Sequence, residues 1–218
     1  MKKYLIGALL IILAYICFPF GNAEKVNTRI NKIVFIDPGH GGYDPGTNSD
    51  GILEKEINLK ISTFLYEEII NNSGMAFITR SNDYDLSNVN SSNHKLEDMN
   101  KRVKAINNSG ADILISIHLN ALRDTSVYGP MVYYRKNDSS SLQLAELIQS
   151  DLNEFSGLKK KVHPETYFLF KHTSIPAVLI ECGFLSNPNE RKLLNQDHYQ
   201  KSLATCIFNS LIKYSSFS

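Results

Sequence analysis

Residues 33–42 read IVFIDPGHGG, and this stretch introduces the pattern that the rest of the chain follows. Four apolar residues, 33–36, predict a buried strand, and the Asp-Pro-Gly that comes next cannot continue it. From Glu54 onward, apolar side chains recur at helical spacing and form one face. The members of this face are Ile57, Ile61, Phe64, Leu65 and Ile69. A strand, a glycine-rich turn and an amphipathic helix are the repeating unit of an α/β fold.

The same alternation continues toward the C-terminus. Further strands are predicted at 75–79, 113–117, 131–134 and 177–180, and amphipathic helices at 96–106, 142–155 and 199–214. Strands that alternate with helices of this length predict a layered α/β domain with a largely parallel sheet. The Ser- and Asn-rich stretch 81–93 is predicted to be an exposed loop. No repeat or interdomain linker interrupts the pattern, so residues 32–218 are predicted to form one catalytic domain.

The first residues are typical of a targeting segment. Lys2 and Lys3 precede an apolar run, 5–18, which is followed by small residues up to Ala23. This is the layout of an export signal, which is either cleaved or kept as a membrane anchor. We therefore expect residues 1–23 to be a signal peptide or N-terminal membrane anchor and residues 24–31 to be a short linker. The protein is then exported across the cytoplasmic membrane and is either secreted or anchored there.

Charge and cysteine content argue against two classes of function. The 218 residues carry a formal charge of +1, which becomes −1 if residues 1–23 are removed with their two lysines. Nucleic-acid binding normally leaves a basic excess, so no nucleic-acid partner is expected. Three cysteines without a C-x-x-C spacing argue against a disulfide framework or a cysteine-built metal site.

Acid and imidazole side chains stand at the ends of the predicted elements. His40, His118 and Glu181 each follow a predicted strand, and Glu54 opens the first helix. In an open α/β sheet, the carboxyl ends of parallel strands and the helices that follow them meet at one edge. We therefore expect these four side chains to converge, although they are far apart in sequence. Taken singly, a histidine such as His40 or His118 is more often a hydrogen-bonded turn residue, and Glu54 is more often a helix-start residue. The shared placement of the residues carries the prediction.

Two imidazoles and two carboxylates are the groups that a catalytic zinc site requires. Two histidines and one glutamate bind the metal and leave a position for water, while the second glutamate takes a proton from that water. Free backbone amides at the helix N-terminus are predicted to hold Glu54 ionised, which suits a ligand. Glu181 directly follows four apolar residues, so its carboxylate would be costly to bury without a partner.

Four sequence blocks around these residues resemble those of a known enzyme family. They are DPGHGG with DPG at 37–46, EKE at 54–56, SIHLNA at 116–121 and ECGFLSNP at 181–188. In this order they resemble the signature of the zinc-dependent N-acetylmuramoyl-L-alanine amidases. The resemblance implies His40, Glu54 and His118 as Zn²⁺ ligands and Glu181 as the catalytic glutamate. It also implies a three-layer fold in which a mixed, mostly parallel sheet of about six strands is flanked by helices.

A narrower resemblance concerns the germination-specific amidases of spore-forming bacteria. The single-domain layout, the export segment and the CGFLSN run at 182–187 are similar to those enzymes. The resemblance implies a peptidoglycan substrate, cut between the lactyl group of N-acetylmuramic acid and L-alanine in the spore cortex on the route to muramic-δ-lactam. It also implies a muramic acid deacetylase that acts afterwards. An activating protein partner and membrane anchoring through the N-terminal segment stay open.

Two other functions stay open on the sequence alone. An amidase-fold protein could bind or scaffold the wall with little independent activity, although a pure binder has no use for an open metal position. A zinc peptidase would instead cut between amino acids of the stem peptide. The fragments that are released from peptidoglycan distinguish the amidase, the peptidase and the binder.

Overall fold

The structure is a computed structural model that describes residues 30–216. The predicted export segment, 1–23, and most of the predicted linker, 24–31, lie outside the described residues. Within the described range, no helix combines the length and the apolar character that crossing a membrane requires.

Strands with parallel neighbours form the centre of the molecule. The strands of the described chain are β1 (Ile33–Pro38), β2 (Asn48–Ser49), β3 (Ile52–Leu53), β4 (Met75–Ile78), β5 (Ile113–Asn120), β6 (Met131–Arg135), β7 (His163–Glu165) and β8 (Ala177–Phe184). The main sheet has six strands in the order β4, β1, β5, β8, β6, β7, and β2 pairs with β3 in a separate hairpin. Only β6 and β8 pair antiparallel within the main sheet. The sheet is therefore mixed and mostly parallel.

Helices cover both faces of this sheet. They are α1 (Glu54–Asn71), α2 (His94–Asn108), α3 (Ser139–Ser156), α4 (Phe168–His172), α5 (Pro188–Leu194) and α6 (Asp197–Ser216). On β1, Val34 and Ile36 join the larger core under α1, α3 and α6, while Phe35 joins a smaller core under α2 and α4. Alternate side chains of one strand thus face opposite layers. This arrangement confirms the predicted three-layer α/β fold.

Three strands continue two or more residues beyond their predicted ends. The sequence predicts ends at Ile36, Ile117 and Ile180, whereas β1 runs to Pro38, β5 runs to Asn120 and β8 runs to Phe184. The prediction that Asp37 and Pro38 cannot continue the first strand is wrong, because both are paired with β5. The prediction that His118 and Glu181 follow their strands is therefore wrong, because both lie within strands and are paired across the parallel ladder. Main-chain pairing decides where a strand ends, and a polar side chain at the sheet edge does not interrupt it.

Candidate active site and metal centre

A glycine-rich loop after β1 carries His40 to the carboxyl edge of the sheet. His40 has a φ of 62°, a left-handed conformation that residues other than glycine rarely adopt. Gly39 has no room for a side chain, because a Cβ there would lie 2.2 Å from the His118 ring. Gly46 is constrained in the same way, since its Cβ would lie 2.6 Å from Glu54 Oε2. These glycines let the loop close against the two other candidate ligands.

The structure brings His40, Glu54 and His118 together at this edge. Glu54 Oε1 lies 3.2 Å from His40 Nε2 and 3.1 Å from His118 Nδ1. One donor atom from each of the three side chains lies within 4.8 Å of the other two. Two imidazole nitrogens and one carboxylate oxygen are the donor set of a catalytic zinc site with three protein ligands. The residues therefore fit a divalent metal ion such as zinc.

Partners from two other segments hold the Glu54 carboxylate in place. Glu54 Oε2 accepts a hydrogen bond from the Thr47 amide at 2.9 Å, and Oε1 accepts one from the Leu119 amide at 3.1 Å. These amides belong to the loop before α1 and to β5, whereas the sequence predicts amides of the helix terminus itself. Burial alone would raise the pKa of Glu54, but hydrogen bonds with the two imidazoles hold this pKa well below its usual range. The carboxylate is therefore ionised, as a metal ligand must be.

Asp44 contacts His40 on its other ring nitrogen. His40 Nδ1 lies 3.0 Å from Asp44 Oδ2. Burial would lower the pKa of His40, but the carboxylates of Glu54 and Asp44 raise it. A carboxylate on the second nitrogen of a metal-binding histidine fixes the tautomer and the ring orientation. The sequence-based prediction gives Asp44 no role, although its place four residues after His40 in the same block was a signal.

Glu181 stands on the strand next to His118. Its Oε2 is buried and accepts no hydrogen bond from the described residues. Burial, together with the nearby charge of Glu54, raises the pKa of Glu181 to about 7, although the two imidazoles oppose this shift. A carboxyl group with a pKa near neutrality can both accept and return a proton at that pH. Glu181 therefore has the position and the acidity of a general base.

Two hollows of different character meet at these side chains. The larger hollow has a volume of about 640 Å³ and a largely apolar wall that includes Tyr43, Met99, Tyr167 and Phe168. The smaller hollow has a volume of about 460 Å³ and a more polar wall that includes Thr47, Lys95 and Asn120. Both hollows reach His40, His118 and Glu181. The two hollows therefore meet at the candidate metal ligands and at Glu181.

Three supporting residues have no counterpart in the sequence-based prediction. Asn58, one turn after Glu54 on α1, donates from Nδ2 to Glu54 Oε1 and to the Gly39 carbonyl, both at 3.2 Å. Its helical spacing from Glu54 was a usable signal. Arg80 and Arg102 donate to main-chain carbonyls near His40. Because every residue has a carbonyl, the sequence contained no sign of these two contacts.

Comparison with known proteins identifies relatives that cover most of the chain. Residues 34–213 match the family described as N-acetylmuramoyl-L-alanine amidase. The germination-specific N-acetylmuramoyl-L-alanine amidase of Bacillus subtilis (strain 168) is 34% identical over 188 residues. This alignment covers 84% of the present chain and 79% of that protein. The predicted family is therefore supported along nearly the whole described chain.

Solved structures share both the fold and much of the sequence. The CwlD amidase from Clostridioides difficile, solved in complex with the GerS lipoprotein, superposes with a TM-score of 0.84 and 36% identity, covering 86% of this chain and 100% of that one. An N-acetylmuramoyl-L-alanine amidase from Clostridium difficile 630 gives a TM-score of 0.75 and 32% identity, covering 84% and 96%. With a family match across 34–213 and a sheet that carries the expected residues at one edge, the chain belongs to the N-acetylmuramoyl-L-alanine amidase family.

Proposed function

We propose that this peptidoglycan amidase is a zinc enzyme, in which His40, Glu54 and His118 hold Zn²⁺ and Glu181 is the catalytic base. The observation that carries the proposal is the cluster of three donor atoms within 4.8 Å beside a buried carboxylate oxygen without a hydrogen-bond partner. The bond cut is the amide between the lactyl group of N-acetylmuramic acid and L-alanine. When bound, zinc supplies a Lewis acid that polarises the carbonyl and lowers the pKa of water.

Glu181 performs the proton transfers of the proposed hydrolysis. A water oxygen bonds to the lactyl carbonyl carbon, and the carbon–nitrogen bond to L-alanine breaks. Glu181 accepts the proton that the water loses and returns it to the departing alanine nitrogen. The products are a free lactyl carboxyl group and a peptide with a free amino terminus. Without metal, burial raises the pKa of Glu181 to about 7; the positive charge of bound Zn²⁺ would lower this pKa and favour the ionised form that accepts the proton.

The other side chains of the site orient the reacting groups. Asp44 and Glu54 contact opposite nitrogens of His40, so the imidazole has one defined orientation. The two hollows suit a substrate with a sugar on one side of the scissile amide and a peptide on the other. Because the orienting groups are in place before substrate arrives, little reorganisation is needed during the reaction.

We also propose that the enzyme acts outside the cytoplasm on spore cortex. Export is supported by the layout of residues 1–23, which are either cleaved or kept as an anchor. In this proposal, residues 24–31 are a short linker and residues 32–218 are the catalytic domain. The similarity to a germination-specific amidase supports the cortex, where a muramic acid deacetylase would act on the product to allow muramic-δ-lactam formation. The similarity to an amidase solved with a lipoprotein supports an activating protein partner.

Mass analysis of fragments tests the proposed reaction directly. Purified protein loaded with zinc is incubated with cortex peptidoglycan, and the released material is sequenced from its amino terminus by mass spectrometry. The proposal predicts intact stem peptides that begin with L-alanine, and a chelator should stop their release. Shortened peptides would indicate a stem peptidase. Because an activating partner is proposed, the assay is repeated with the lipoprotein partner added, and the absence of release with zinc bound under both conditions would indicate a wall-binding protein.

A further inference from the structure

Two buried arginines bind the main chain on which His40 sits. Arg80 follows β4 and Arg102 lies on α2, and each residue is only 1% exposed. Both donate to the same atom, the carbonyl oxygen of His40, at 2.8 Å from Arg80 Nε and 2.7 Å from Arg102 Nη2. Because each donor is a cationic guanidinium group, both hydrogen bonds to this carbonyl are charge-assisted, and such bonds are among the stronger ones in proteins.

The contacts continue along the preceding residues. Arg102 Nη1 donates to the Pro38 carbonyl at 2.9 Å, and Arg80 Nη2 donates to the Gly39 carbonyl at 3.0 Å. The carbonyls of residues 38, 39 and 40 are thus all bound by a guanidinium group. The planar fork of arginine suits such multiple contacts, which a lysine cannot reproduce.

This main chain needs support because His40 is held in an unfavourable conformation. Its φ of 62° lies in the left-handed region, which is costly for residues other than glycine and persists when surrounding contacts impose it. Rotation of the carbonyls away from the arginines would change the direction of the His40 side chain. The arginine contacts therefore fix where Nε2 of His40 points.

The charges of the arginines are balanced locally. Arg102 pairs with Asp37 and Asp98, with nitrogen to oxygen distances of 2.7 Å in both cases. Arg80 has no carboxylate within ion-pair distance among the described residues, but the charges of Asp37 and Asp98 also act on it, so the two arginines and two aspartates together carry no formal net charge. Two unpaired arginines would repel the metal ion, whereas a cluster without net charge can orient a metal ligand without this repulsion.

We propose that Arg80 and Arg102 are positioning residues that set the affinity of the His40, Glu54 and His118 site for its divalent metal. The inference rests on the metal site of the proposed function. A purely stabilising role would change the free energy of unfolding and leave the affinity of the folded protein for metal unchanged. Removal of residues that orient a metal ligand typically weakens metal binding or activity about 10- to 100-fold.

The test measures metal binding in folded variants without relying on catalysis. Arg102→Ala and Arg80→Ala are compared with Lys104→Met, which removes an exposed charge from the same helix as Arg102. Zinc affinity is obtained by competition with a chromophoric chelator, and the visible spectrum of Co²⁺-loaded protein reports the ligand geometry. We expect at least tenfold weaker zinc binding and an altered Co²⁺ spectrum in both alanine variants, and native values in the control.

Chemical rescue separates positioning from general damage. Methylguanidinium, which can occupy the space of the missing side chain, should restore zinc affinity in Arg102→Ala, and methylammonium should not. If the alanine variants do not fold, Arg102→Lys serves instead, because it keeps the charge near Asp37 and lacks the fork. Native zinc affinity and a native Co²⁺ spectrum in a folded Arg102→Lys or Arg102→Ala protein would overturn the inference. Failure of the unaltered protein to bind zinc would instead overturn the proposed function.

Discussion

Glu54 and Glu181 are neighbouring carboxylates with opposite acid–base properties. Hydrogen bonds with two imidazoles lower the pKa of Glu54 despite its burial, whereas burial without a hydrogen-bond partner on Oε2 raises the pKa of Glu181 to about 7. Environments that separate the pKa values of two groups in one site often divide their chemical roles. The ionised residue suits metal binding, and the residue that titrates near neutrality suits proton transfer.

Replacement of the proposed base tests this division of roles. Glu181→Gln keeps the size of the side chain but cannot accept the proton of water. We expect turnover on peptidoglycan to fall by about 100- to 10,000-fold, the usual range for loss of a general base. Zinc content, measured by elemental analysis, should stay at the native level. Near-native turnover in this variant would remove Glu181 from the catalytic role.

Asp44 provides a second test at the same scale. Asp44→Asn removes the negative charge of the carboxylate beside His40 Nδ1 while keeping the shape of the Asp44 side chain. We expect zinc affinity to fall by about 10- to 100-fold, because the carboxylate partner of a histidine ligand raises its basicity and fixes its tautomer. The matched control is Glu56→Gln, which removes an exposed acid close to Glu54. Equal zinc affinity in both variants would contradict the role of Asp44.

At the scale of elements, sequence periodicity predicts the layers better than it predicts the ends of strands. Regular apolar spacing was enough to predict α1 and the central strands. In the sequence, the polar residues His118 and Glu181 predict strand ends, whereas main-chain pairing extends β5 and β8 past them. The short elements β2, β3, β7, α4 and α5 have too few residues to produce a recognisable period. The convergence of the four site residues was predictable because it depends only on strand direction.

Asp37 on β1 links α2, β5 and the residue that follows β4 beneath the site. Arg102 of α2 and the hydroxyl groups of Thr79 and Ser116 all donate to its carboxylate. Burial alone would raise the pKa of Asp37, but the charge of Arg102 and the hydrogen bond from Thr79 bring this pKa below its ordinary value of 3.8. The ionised carboxylate therefore stabilises the fold above about pH 4, and this stabilisation is lost as pH falls through the lowered pKa.

Asp37→Asn should show this dependence as a pH-sensitive loss of stability. At pH 7 we expect the free energy of unfolding to fall by about 1 to 3 kcal/mol, because the buried Arg102 guanidinium keeps Asp98 but loses the charge of its second carboxylate partner. The difference from the unaltered protein should begin to shrink below about pH 4, where the carboxyl group of Asp37 is protonated in the unfolded chain, and should be lost once pH falls below the lowered pKa of the folded protein. Urea unfolding at several pH values measures this difference in stability. The control is Asp197→Asn, which alters an exposed pair with Lys60 and should change the free energy of unfolding by less than about 1 kcal/mol. A difference that does not vary with pH would contradict this account.

At the scale of the whole molecule, the last helix completes the larger core. Ile207 of α6 is fully buried among side chains of α1 and α3. Ile207→Ala should lower the free energy of unfolding by about 2 to 5 kcal/mol through lost burial and a residual cavity. Asn209→Ala, at an exposed position of the same helix, should change it by less than about 0.5 kcal/mol. Thermal and urea unfolding measure both, and equal stability would show that α6 is not part of the cooperative core.

The near-neutral charge of the chain limits how it can recognise the wall. A formal charge of +1 over 218 residues provides little long-range attraction to a charged polymer. We therefore expect recognition to depend on local contacts in the two hollows beside the candidate metal ligands. These hollows could not be predicted from the sequence, because their walls combine side chains from loops and helices whose relative positions depend on tertiary packing.

The central claim is that one zinc ion at His40, Glu54 and His118 makes this chain an amidase. The most direct measurement titrates metal-free protein with Zn²⁺ and follows the release of peptides with L-alanine amino termini from peptidoglycan. We predict that release rises with added zinc, saturates near one equivalent per chain, and is absent from His118→Ala at every zinc concentration. Full release by the metal-free protein, or native release by His118→Ala, would contradict the claim.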